Sequence, residues 1–126
     1  MSKTIGGWCS ALCLLSACSV QEPVADVQAD VLPALFPDYV DVTIPANIAP
    51  LRFRLSEPVD EARLVLESSA GKWVLEADGM DFLIPRKKWK KWLQEARGET
   101  VRVKVMTCTD GRWTAYRSFG WHVSAD

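Results

Sequence analysis

Histidine occurs once in this 126-residue chain, and cysteine only four times. Cys9, Cys13 and Cys18 fall in the first 18 residues, which leaves Cys108 alone in the remainder. That part of the chain has no partner for an internal disulfide. A single imidazole, His122, without a cysteine pair argues against a transition-metal site. Charge of one sign is not in excess: 15 Lys and Arg balance 16 Asp and Glu, for a net charge of −1. A dedicated nucleic-acid binder carries a marked basic excess, so that class is not expected. A membrane-spanning helix needs about 20 consecutive apolar residues, and the sequence has no such run. The phosphate-cradling, dinucleotide-binding and nucleophile-elbow motifs are missing as well, and no repeat recurs at solenoid or propeller spacing.

Catalysis finds little to stand on. His122 follows Trp121 and precedes Val123, so it reads as a strand residue near the chain end. No serine, cysteine or carboxylate is placed beside it by any motif. Asp60-Glu61 and the Asp78/Asp81 pair sit at turns, where carboxylates cap backbone N–H groups. Spacing alone does not make them a glycosidase pair. The expectation is a non-enzyme with no cofactor and no bound metal.

What is present begins at the N-terminus. Lys3 provides a short positive start, and residues 5–17 are apolar or small throughout. That length suits the apolar region of a secretion signal. The run closes on Leu15-Ser16-Ala17-Cys18, which is similar to a bacterial lipobox. Small residues let the backbone enter a peptidase groove, and the Cys18 thiol accepts a diacylglyceryl group. Residues 1–17 are therefore expected to be a lipoprotein signal and Cys18 the lipidated N-terminus. Ser19, rather than Asp, follows the cysteine, which by resemblance to bacterial sorting rules favours the outer membrane. Two or more acyl chains hold a protein stably in a bilayer, whereas one gives only reversible attachment.

Residues 18–37 carry Glu22, Asp26 and Asp30, no Lys or Arg, and Pro23, Pro33 and Pro37. The segment reads as an acidic, proline-interrupted spacer, with a docked edge strand or helix as the alternative. From residue 38 to 126 the pattern is that of a β module. Val40, Val42 and Ile44 alternate with polar residues, as do Leu51, Phe53 and Leu55 with Arg52 and Arg54. Ala62, Leu64 and Leu66 predict a third strand, Trp73 to Leu75 a fourth and Phe82 to Ile84 a fifth. Val101, Val103 and Val105 predict a sixth strand, which places Cys108 near its end as a buried thiol. Asp110-Gly111 is a strong two-residue hairpin signal before a seventh strand running through Trp113, Ala115 and 117–123. One helix is expected over residues 86–97, because Trp89, Trp92, Leu93 and Ala96 form a single apolar stripe. Gly98 is placed to follow its C-terminus. Seven short strands at about 8–12 residue spacing predict an immunoglobulin- or fibronectin-III-like antiparallel β-sandwich with one short helix.

Two surfaces are candidates for interaction. Arg86, Lys87, Lys88, Lys90 and Lys91 cover the faces of the helix away from its apolar stripe. Cations near a helix N-terminus oppose its dipole, so the cluster hints at use beyond solubility. Lipid phosphates, an acidic polysaccharide or an acidic protein would suit it. Trp113, Tyr116 and Trp121, with Phe119, make the final strand aromatic. An exposed row there would serve a docking partner or stack on a sugar.

The stretch Phe36-Pro37-Asp38-Tyr39-Val40-Asp41-Val42-Thr43-Ile44-Pro45-Ala46-Asn47-Ile48-Ala49-Pro50-Leu51-Arg52-Phe53-Arg54 goes beyond generic strand patterning. It resembles the start of bacterial lipoproteins whose longer members continue into a TolB-like β-propeller. Ile84-Pro85-Arg86-Lys87-Lys88-Trp89 resembles the strand-to-helix junction of the same N-terminal module. The likeness covers roughly Phe36 to Ala125. This sequence departs from the longer members by stopping at Asp126, which is expected to make it a detached or free-standing module. The resemblance implies a non-enzymatic role in the envelope, by binding or scaffolding, and transfers no site residues. The expected partners are the membrane through Cys18, an envelope protein and, as an alternative, a glycan.

Overall fold

The computed structural model describes residues 20–125, and the expected signal and Cys18 lie outside that range. The described chain is mostly β, with two sheets and one helix. The strand segments are β1 (Val27–Gln28), β2 (Leu35–Phe36), β3 (Val42–Ile44), β4 (Arg52–Leu55), β5 (Glu61–Ser68), β6 (Gly71–Glu76) and β7 (Asp81–Leu83). Helix α1 (Arg86–Glu95) then leads into β8 (Thr100–Thr109), β9 (Arg112–Ala115) and β10 (Phe119–Val123).

The smaller sheet has the order β2-β4-β7, antiparallel throughout. In the larger sheet β6 pairs with β5 and β5 with β8. The opposite edge of β8 is shared by β9 and β10, which pair with its C-terminal and N-terminal halves. Two further pairs, β1 with β9 and β3 with β10, are parallel. The wholly antiparallel expectation is corrected at this one edge, where the chain's first segments lie alongside its last.

The alternation of valine and leucine explains the core. Leu64 and Leu66 of β5 and Val101, Val103 and Val105 of β8 point between the sheets and are fully buried. Phe53 of β4 and Phe82 of β7 answer them from the smaller sheet, ring centroids 4.9 Å apart. Helix α1 crosses from β7 to β8 and places Trp89, Trp92 and Leu93 on this core. Burying each such side chain stabilises by about 1.5–3 kcal/mol. The Trp89 Nε1–H donates to the Ile48 carbonyl at 2.9 Å, and the Trp121 Nε1–H donates to the Tyr39 carbonyl at 2.7 Å. Ile44 and Ala46, between those two carbonyls in sequence, are buried, as are Leu51 and Phe53 just after them. The 36–54 stretch singled out in the sequence is thus a framework segment that seats two indoles.

The Asp110-Gly111 hairpin forms between β8 and β9, with φ of +54° and +75° at its two residues. Positive φ at both positions defines the turn whose twist matches the flanking strands. Asp60 accepts a hydrogen bond from the Asp110 N–H at 2.9 Å, and Asp78 bridges to Asp81 through the backbone. Asp78 and Asp81 therefore flank a turn, whereas Glu61 opens β5 and pairs with Cys108 of β8. Cys108 is a buried free thiol.

The spacer reading of residues 18–37 needs correction over its described part. Val65 of β5 and Met106 of β8 sit with Ala115 on the outer face of the larger sheet, and all three are buried. Ala25 covers them together with Trp113 and Val74. The acidic residues fasten the segment. Glu22 reaches Lys72 and Lys104, the Asp26 carboxylate accepts from the Trp113 N–H at 2.9 Å, and Asp30 meets Arg117 at 3.2 Å. Apolar surface that would otherwise face water is the physical reason the segment docks rather than extends.

Candidate interaction face

Pro85 holds the position before α1 and offers no side-chain cap. The first turn has no acidic residue; it has Arg86, Lys87 and Lys88. Lys90 and Lys91 follow in the next turn. All five are exposed, and none comes within 4 Å of a carboxylate among the described residues. Each cation in a first turn opposes the helix dipole by about 0.3–1 kcal/mol at most. The cost is small, and among the described residues no ion pair offsets it.

The helix leans on the β5–β6 hairpin, and an open groove of about 520 Å³ lies between them. Lys87, Lys88 and Lys91 line it from α1, Lys72 and Trp73 from β6. Glu95, at the C-terminal end of α1, is its one acidic side chain. The Lys88 ammonium stands 4.9 Å from the centroid of the Trp73 ring, a cation–π contact that fixes the lysine over the indole. A second hollow, of about 560 Å³, adjoins the first through Lys72, Trp73 and Lys88. Its other wall is the start of the described chain, Val20, Gln21 and Glu22.

Glu22 is the hinge between the docked N-terminal segment and this face. Hydrogen bonds from Lys104 first, then Lys72, hold its carboxyl below the ordinary value near 4.5. A depressed folded value means the contact stabilises the docked segment above pH 4.5. That contribution is lost as pH falls through the folded value. Glu22→Gln is therefore expected to speed hydrogen exchange of the Ala29 N–H, which donates to the Ala115 carbonyl, at pH 7. The difference from wild type should vanish well below pH 4.5. Equal exchange at pH 7 would mean that Glu22 does not hold the segment.

The aromatic row expected on the last strand does not form. Trp113 is half-buried on the outer face of the larger sheet, with the Arg63 guanidinium 5.0 Å from its ring centroid. Tyr116 is also half-buried. Trp121 has no exposed surface and lies in the core. The correction has a simple cause. Ala115 pairs with Met106 and Phe119 with Val103, so three residues of the last strand oppose two of β8. One extra residue makes a bulge, and a one-residue slip sends every later side chain to the other face. Trp113 and Trp121 share parity in sequence but not in space.

His122 is exposed, its Nδ1 2.8 Å from the Thr100 hydroxyl. Among the described residues, no three His, Cys, Asp or Glu side chains converge as a metal site would require. No helix among them is long and apolar enough to cross a membrane. Lys72 and Trp73 are the groove residues that sequence spacing did not mark, because only tertiary contact brings β6 beside α1. Compared with known proteins, the chain matches no family model, no curated relative and no solved structure.

Proposed function

We propose that this chain is a non-enzymatic lipoprotein of the bacterial cell envelope, anchored through Cys18 at the outer membrane, whose β module is an interaction or scaffolding unit. The observation that carries the reading is the α1 face: five exposed cations with no carboxylate within 4 Å among the described residues, three of them in the first turn against the helix dipole, beside an open groove. Such a face suits an anionic component of the envelope.

The strand order supports an immunoglobulin- or fibronectin-III-like relationship, with β2-β4-β7 on one side and β6-β5-β8-β10 on the other. The likeness to the N-terminal module of TolB-like propeller lipoproteins fits the same role, because the apolar residues that carry it, Ile44, Phe53 and Trp89 among them, are core residues. The carbohydrate alternative is weakened by the loss of Trp121 from the surface.

Photo-crosslinking in intact cells tests the contact face. With p-benzoylphenylalanine in place of Lys91, an adduct with an anionic envelope component, identified by its mass, is expected. The same group in place of Thr109, at the other end of β8, should give none. A position 91 free of adducts would reject α1 as the contact face.

A further inference from the structure

We propose that α1 seats on the anionic phospholipid headgroups of the membrane that holds Cys18, so that lipid anchor and basic helix form one two-part attachment. The inference rests on the lipoprotein reading above and adds the identity of the surface that α1 meets.

The path of the chain is the first argument. Val20 lines the hollow that it shares with Lys72, Trp73 and Lys88. Cys18 is two residues upstream, and two residues span at most about 7 Å. An acyl chain on Cys18 is therefore tethered to Val20, and so to the hollow beside the cationic groove, by no more than about 7 Å of backbone. So short a tether keeps the face that Val20 adjoins close to the headgroups.

The arrangement of charge is the second. Lys87 and Lys91 lie one helical turn apart, opposite the buried stripe of Trp89 and Leu93. Arg86 and Lys90 flank them on one side and Lys88 on the other. Lys87, Lys88 and Lys91 line the open groove, and Arg86 and Lys90 extend the charge beyond it. A compact anion would use two or three convergent groups in an enclosed site, whereas a plane of phosphates is matched by a spread of exposed ones. Trp73 and Trp92, buried beneath the groove, keep its floor apolar. Trp73 of the groove is level with Val103 through Leu66, so the β8–β9 turn, about 20 Å further along β8 at 3.3 Å per residue, would then face away from the membrane.

Lysine footprinting of the intact lipidated protein tests this without a substitution. The protein is reconstituted into vesicles of phosphatidylcholine alone, or of phosphatidylcholine with phosphatidylglycerol, and treated with a water-soluble acylating reagent. Modification of Lys87, Lys88, Lys90 and Lys91 is read by mass spectrometry relative to Lys104. At low salt the expected result is about fivefold lower modification in the anionic vesicles, reversed by high salt. Equal modification in both vesicles, with the protein floating in each, overturns the docking and leaves the anchor standing. A protein that fails to float with either vesicle overturns the anchor reading and the docking with it. Protection by inorganic phosphate in neutral vesicles would make the groove a small-anion site and overturn the membrane assignment. A protein adduct at position 91 in cells, with no protection on vesicles, would do the same in favour of a protein-binding face.

Discussion

Trp121→Ala is expected to leave the module without a cooperative thermal transition. Trp121 has no exposed surface, and its ring lies 5.9 Å from Phe53, 6.0 Å from Trp89 and 6.4 Å from Phe119, centroid to centroid. It therefore touches the smaller sheet, the helix and its own strand at once. Truncating a buried Trp to Ala costs about 3–5 kcal/mol. The substitution also removes the indole N–H from the Tyr39 carbonyl in a part-buried hydrogen bond, a further loss of about 1 kcal/mol. Domains of this size are stable by about 5–15 kcal/mol in total, with small ones near the lower end. Circular dichroism against temperature is the measurement. Trp113→Ala is the comparison, since that half-buried ring should lose far less. A Trp121→Ala melting temperature within about 5 °C of wild type corresponds to a loss near 1 kcal/mol, and would show that the indole is not what joins the layers.

Cys18→Ala is expected to reduce incorporation of an alkynyl fatty acid to background. The acyl chains have no other attachment site in the proposed mature protein, where Cys108 is buried in β8. Each buried CH₂ of an acyl chain contributes about 0.8 kcal/mol to membrane affinity, so the wild-type protein should partition fully into detergent. The variant should also keep residues 1–17, because the peptidase acts on the lipidated form, and its mass would report this directly. Undiminished labelling of Cys18→Ala would remove the anchor from the proposal.

The helix was legible in the sequence because Trp89, Trp92, Leu93 and Ala96 repeat at the helical period. Asp110-Gly111 was equally plain, since its backbone demand is local. β1 and β2 were not, for they are two residues each and their partners lie far along the chain, Val27 beside Thr114 and Leu35 beside Leu55. Nothing local favours so short a strand. A hint was nonetheless present in β5, where Val65 stands on the face that Arg63 and Glu67 make polar. The inward turn of Trp121 depended on one bulged residue, and a bulge with no glycine leaves no mark in an alternating pattern. For the site, the cations of α1 were readable as a cluster. Their lack of counter-charges, and the meeting of Lys88 with Trp73, came only with the fold.

The parallel edge has a mechanical meaning. β3 lies beside β10 and β1 beside β9, with strand directions matched. A pull that draws Val20 one way and Ala125 the other slides these strands past each other along their length. Their hydrogen bonds are then loaded together rather than opened one after another from an end. A domain held at its first residues and tugged at its last would meet that load at its most resistant seam, with the core behind it undisturbed.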